Sequence, residues 1–174
     1  MLHYYKEQGG DEMLKRKAYD KLSDWKKQKN KKALCITGAR QIGKTTLIRE
    51  FAKNKYANFV EINFITDDGA ADIFSGSLDA DTLITNITAF TRKSLVEGDT
   101  LVLFDEIQQC PNARTAIKFL VEDGRFDYVE SGSLLGVGYN HVKSFPVGFE
   151  EIYRMYPMDF EEYLWANGVQ DSTI

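Results

Sequence analysis

Residues Gly38 to Thr45 read Gly-Ala-Arg-Gln-Ile-Gly-Lys-Thr, a complete G-x-x-x-x-G-K-[ST] pattern. The apolar run Ala33-Leu34-Cys35-Ile36-Thr37 comes directly before it, and a helix-like stretch from Thr45 to Lys53 follows. Strand, glycine loop and helix in that order constrain the fold more than any other feature, because together they open a phosphate-binding α/β unit. Gly38 and Gly43 are read as permitting backbone angles that a side chain opposes. The amides of Gly38, Ala39, Arg40, Gln41, Ile42, Gly43, Lys44, Thr45 and Thr46 then form an anion cradle over the positive end of a helix dipole. Lys44 is placed on the β- and γ-phosphates, and the Thr45 hydroxyl on a magnesium ion that bridges them. Arg40 and Gln41 occupy free positions and read as solvated rather than catalytic. The alternative, a chance match in a glycine turn, is opposed by the four fixed positions and the correct flanks.

A nucleotide site also needs an acidic anchor on another strand. Thr100-Leu101-Val102-Leu103-Phe104-Asp105-Glu106 supplies it, as an apolar run suited to a parallel strand buried on both faces. Asp105 emerges at the carboxyl end of the sheet, where open α/β folds bind ligands, and is assigned to magnesium through water. Glu106 is the candidate general base for an attacking water. The competing reading has Asp105 or Glu106 capping the next helix. An acid after the magnesium aspartate favours hydrolysis over transfer to a small acceptor. The nearest string to a guanine-reading Asn-Lys-x-Asp is Asn54-Lys55-Tyr56-Ala57, which lacks the aspartate, so ATP is the expected nucleotide. Ser131 or Ser133, in Tyr128-Val129-Glu130-Ser131-Gly132-Ser133, offers a hydroxyl for the γ-phosphate or the water, with ordinary turn chemistry as the alternative. Asn63 ends the alternating strand Phe59–Phe64 and either holds Glu106 away from water or starts a turn.

The 174 residues suit one ordinary domain, and 43% hydrophobic content suits a packed core. A net charge of −4 gives no support for a nucleic-acid surface. The basic runs at Lys15-Arg16-Lys17 and from Lys26 to Lys32 read as a solvated helix end and linker, with a DNA-contacting arm as the minor alternative. Cys35 and Cys110 have no partners at metal-binding spacing, and no ligand cluster surrounds His3 or His141, so no zinc site is expected. Reduced thiols and the lack of a signal region or apolar span suggest a cytoplasmic protein without membrane contact.

A loose tail is expected over residues 1–10. A helix over 11–27 follows, with its apolar stripe at Leu14, Ala18, Leu22 and Trp25. Strands are placed at 33–37, 59–64, 100–106, 128–131 and 151–156. Helices lie over 44–53, from an Asp81 cap past Leu83, Ile84, Ile87 and Phe90 to Ser94 and Leu95, from Pro111 to Gly124, and from the Asp159–Glu162 capping box. A mostly irregular stretch runs from 132 through Gly148. Strands alternating with helices imply a parallel sheet covered on both faces. An extra strand is expected between the Gly38 and Asp105 strands, which places Ser131 between Lys44 and Asp105.

With these motifs assembled, the chain resembles the bacterial and archaeal AAA-type P-loop ATPases that carry a C-terminal domain of uncharacterised function. The strings that carry the resemblance are Gly38–Leu47, Phe104-Asp105-Glu106-Ile107-Gln108, Gly132-Ser133-Leu134-Leu135-Gly136 and Tyr156-Pro157-Met158-Asp159-Phe160-Glu161-Glu162-Tyr163-Leu164. The resemblance implies a three-layer P-loop NTPase sheet, mostly parallel, with strand order 5-1-4-3-2. It also implies ATP hydrolysis coupled to a conformational change, and an ATPase domain over 11–174 that forms the N-terminal part of a longer protein. A homo-oligomer or protein partner is in keeping with it. Sensor-type polar residues carry over only to Ser131 and Ser133. No arginine finger is assigned: Arg114, Arg125 and Arg154 read as surface ion-pair residues. Two competing readings are a slow-turnover nucleotide sensor and a small-molecule kinase, though the sequence shows no acceptor site or lid for the latter.

Overall fold

The six residues of the first strand, Ala33–Gly38 (β1), are all buried, and so are the six of Thr100–Asp105 (β3). Strands with that pattern need cover on both faces. The computed structural model of the chain describes residues 14–133 and 148–169 and shows how the cover is arranged. The remaining strands are Asn58–Asn63 (β2), Asp127–Ser133 (β4) and Glu150–Arg154 (β5). The helices are Lys17–Lys26 (α1), Lys44–Lys55 (α2), Ala80–Thr91 (α3), Pro111–Asp123 (α4) and Phe160–Ala166 (α5).

All five strands pair in parallel, in the order β2-β3-β4-β1-β5. This is the expected order 5-1-4-3-2 viewed from the opposite edge. On one face α1 and α2 bury Trp25, Ile48 and Phe51 against Ile36, Leu103 and Val129. On the other, α3, α4 and the 3-10 turn Ala70–Phe74 bury Phe74, Ile87, Ile117 and Leu120 against Ile62 and Phe104. Phe104 meets Phe74 edge-on at 5.5 Å and stacks on Tyr128 at 6.2 Å. The register sets Asn63 beside Asp105, Ile36 beside Ser131 and Gly38 beside Ser133. Three neighbouring strands therefore release their polar ends along one edge of the sheet.

Pro111 opens α4, and Gly124 closes it in the left-handed region at φ 74°, as its sequence predicts. Other boundaries differ from expectation. The helix placed over 11–27 begins at Lys17: Arg16 is extended (φ −131°, ψ 133°) and Leu14 is half exposed, outside the buried stripe. The cap of α3 is Asp79, whose carboxylate accepts from the Thr82 amide, and not Asp81. Arg92 turns left-handed and ends α3, so Ser94 and Leu95 lie beyond it. The last strand stops at Arg154, although the Met155 amide still donates to the Thr37 carbonyl at 2.7 Å. The expected tail over 1–10 and most of the irregular stretch, 134–147, fall outside the described residues. No helix among the described residues is long and apolar enough to cross a membrane.

Candidate functional site

β1 ends at Gly38, where the chain turns into the loop. A Cβ at Gly38 would lie 2.4 Å from the Met155 carbonyl oxygen and 2.7 Å from Ile42 Cδ1. This glycine is therefore required by close approach, not by an unusual torsion, a correction to the sequence reading. Gly43 does occupy the left-handed region (φ 89°), and Gln41 joins it there at φ 62°. Gly43 caps α2 without a side chain, and the first turn of α2 contains no acid. The first-turn amides of a helix have no partner within it, so this end presents free donors and positive dipole to the loop.

Lys44 is buried, and its Nζ donates to the carbonyls of Ala39 at 2.7 Å and Gly38 at 3.3 Å. Burial lowers its pKa; the charges of Glu106 and Asp105 oppose that shift, and Arg40 adds to it. Asp105, at the end of β3, is 5% exposed and receives four donors. Thr45 Oγ1 lies 3.2 Å from each carboxylate oxygen, Asn63 Nδ2 donates at 3.0 Å and the Glu106 amide at 3.2 Å. The fourth is the Ser131 hydroxyl.

Glu106 sits in the left-handed region (φ 57°, ψ 43°), and the Gln108 side-chain amide donates to its carboxylate. Glu106 stands at the N-cap position of the 3-10 turn Ile107–Gln109, but neither that turn nor α4 has a side-chain capping hydrogen bond. The Asn63 side chain makes its hydrogen bonds elsewhere than at Glu106. It holds Asp105, and its Oδ1 accepts from the Ile65 and Thr66 amides, so it also starts the turn.

A cleft of about 500 Å³ is lined by Arg40, Gln41, Gly43, Lys44, Thr45, Thr46, Ile65 and Glu106. Arg40, read as merely solvated, lies on its wall. Ser131 is 1% exposed behind Asp105, with its hydroxyl engaged there, and Ser133 ends β4 beside Gly38. Ala39 supplies a carbonyl to Lys44, and Ile42 packs beneath the loop. Arg114, expected at the surface, is buried against Glu150. Arg125 pairs with Asp81 and Asp123, and the Arg154 guanidinium lies over Tyr156. Magnesium prefers hard oxygen donors and keeps several waters. Thr45, which lines the cleft, and the Asp105 carboxylate, 3.2 Å from its hydroxyl, offer oxygen donors that fit that ion.

Sequence reasoning missed Arg16 and Gln108. Arg16 Nη1 donates to the Ile42 carbonyl of the loop at 3.1 Å, and Nη2 to the Tyr156 carbonyl at 2.8 Å. Its Nε pairs with Glu162 at 3.3 Å. Arg16 looked like part of a solvated basic run, and only the fold brings its three partners together. Gln108 ends the string Phe104-Asp105-Glu106-Ile107-Gln108, two residues from Glu106, so its contact was within local reach.

A family model described as AAA domain matches residues 30–164. No curated protein matches the chain. Among solved structures, a single-substitution variant of Thermotoga maritima RuvB aligns with a TM-score of 0.51 and 19% identity, over 91% of this chain and 51% of that one. The Aeropyrum pernix ORC1 protein in complex with DNA aligns with a TM-score of 0.47 and 13% identity, over 78% of this chain and 43% of its own. The chain thus spans about half the length of these solved chains. At such identity the RuvB likeness shows the fold alone.

Proposed function

The chain belongs to the AAA domain family, and on that premise we propose that it is a magnesium-dependent ATP hydrolase whose nucleotide state drives a conformational switch or assembly. The observation that carries this reading is the meeting of Thr45 and Asp105 at 3.2 Å, with Lys44, Thr45 and Glu106 lining one cleft. Magnesium, when bound there, would offset the negative charge of the phosphates.

The residues of the chain divide the remaining work. The loop amides and the start of α2 hold the phosphates. Lys44 exchanges its two carbonyl acceptors for phosphate oxygens, which answer its charge better than neutral carbonyls do. Thr45 and Asp105 hold the metal, and Asn63 and Ser131 orient Asp105 from behind. Glu106, on the cleft wall, takes a proton from the attacking water. Ser133, at the end of β4, is a secondary candidate for contact with the γ-phosphate. ATP rather than GTP follows from the lack of a guanine-reading string. The same reading gives one ATPase domain over 11–174, at work in the cytoplasm with a second copy or a protein partner. The net charge favours such a partner over nucleic acid.

Steady-state turnover tests the proposal. Glu106→Gln should retain Mg-ATP binding and lose roughly 10²-fold or more of the rate, the scale of a general base. Equal turnover in the two proteins would overturn hydrolysis by this route. A second reading, a slow-turnover sensor, is favoured by one contact: Gln108 occupies the Glu106 carboxylate. It requires tight Mg-ATP binding with a basal rate near background in the unmodified chain.

A further inference from the structure

A second cluster of reactive side chains lies under the sheet on its α4 side. Cys35, in the middle of β1, stands in register with Glu130 on β4. Glu150 opens β5 in register with Ala33, two residues before Cys35 and on the same face of β1. Three adjacent strands thus bring together a thiol and two carboxyl groups. The sulfur and one oxygen from each glutamate all lie within 4.8 Å of one another. Cys35 and Glu130 are fully buried, and the Glu150 side chain is 6% exposed. From α4, Arg114 Nη2 donates to both Glu150 oxygens, at 2.7 and 3.1 Å.

Glu130 indicates what the cluster is for. Both of its oxygens are buried, and neither has a hydrogen-bond partner. A carboxylate in that position needs a cation or a proton. We propose that Cys35, Glu130 and Glu150 form a binding site for a thiophilic divalent cation of the zinc class.

Zinc accepts thiolate at about 2.3 Å and carboxylate oxygen at about 2.0–2.2 Å in a tetrahedral shell, so the three ligand atoms need shifts on the order of 1 Å to close on it. A thiolate, two carboxylates, one guanidinium and one dication sum to zero charge, which is what a buried site requires. Arg114 supplies the outer hydrogen bonds that fix a ligating carboxylate. Sulfur sets the site apart from the all-oxygen pair Thr45–Asp105, which suits magnesium. Spacing along the chain gave no sign of such a site, because its ligands come from three separate strands. A bound ion would tie the edge strand β5 to the strand that delivers the phosphate loop. The competing occupant is a proton: burial, and then the charge of Glu150, push the Glu130 carboxyl up to about 8.

The test is a Co2+ titration of the full chain, stripped with chelator and kept reduced in magnesium-containing buffer, and read by thiolate-to-cobalt charge-transfer absorbance. One Co2+ per chain should bind and give that band. The band should persist in Cys110→Ser and Asp105→Asn and vanish in Cys35→Ser. Glu130→Gln, nearly isosteric, should weaken binding by at least about tenfold, the scale seen even for outer partners of metal ligands. Circular dichroism establishes that each variant is folded, and Glu130→Gln carries the test alone if Cys35→Ser is not. A wild-type protein with no band, or a band lost in Cys110→Ser and kept in Cys35→Ser, overturns the proposal and leaves the proton as the occupant.

Discussion

Asp105 and Glu106 are neighbours in sequence with opposite surroundings. Asp105 is fixed by Thr45, Asn63, Ser131 and the Glu106 amide, so its carboxylate is already oriented beside Thr45. Glu106 faces the cleft from a left-handed backbone, with one side-chain partner, Gln108. A water that is to give its proton to Glu106 must first displace that amide from the carboxylate. Gln108→Ala should therefore raise basal ATP turnover several-fold without changing Mg-ATP affinity, and an unchanged rate would show that the contact restrains nothing. Gly38 makes a different demand. Its missing Cβ leaves room for the Met155 carbonyl, which belongs to backbone and yields little. Gly38→Ala should cost about 1–3 kcal/mol of stability, the usual range for overpacking, as read by urea denaturation. Gly38 was legible as a glycine that matters. The reason was not, because the clash partner lies far along the chain.

Among the elements, α5 shows how much of the fold is local. Asp159 accepts from the Glu162 amide at 2.9 Å, and Glu162 accepts from the Asp159 amide at 3.1 Å, the reciprocal capping box expected from four consecutive residues. Asp159→Ala should destabilise the protein by about 1 kcal/mol. Its exposed ion pair with Lys17 adds little to that. Glu162 also accepts from the Lys17 amide at 2.8 Å, which serves the open N-terminus of α1. Glu162→Ala should therefore cost more than Asp159→Ala in the same thermal or urea melt, and equal losses would show that the α1 contact contributes nothing. This contact also explains why periodicity misplaced the start of α1. The apolar stripe runs on to Leu14, but the helix begins where a distant carboxylate meets its first amide. The 3-10 turn Ala70–Phe74 escaped notice because five residues are too few to show a period. Asp79 and Asp81 both suit a cap, and the backbone chose the one in the β region.

Across the whole molecule, the cleft, the first helix and the last helix meet at one side chain. Arg16 bridges the Ile42 carbonyl in the loop, the Tyr156 carbonyl after β5 and the Glu162 carboxylate in α5. The loop also touches the exit of β5 directly, through Gly38 and Met155. A ligand that orders the loop therefore acts on two connections to the end of the described chain. Ordering lowers the frequency of local opening, which amide hydrogen exchange reads directly. Saturating Mg-ATP should slow exchange in the loop and, with it, in residues 160–166 of α5 and the first turn of α1. In Arg16→Ala the loop should still be protected, while the added protection of α5 should fall. Protection of the loop alone in the unmodified protein would mean that the bridge is a static brace. The switch in the proposed function would then have to travel through β5 or through another element.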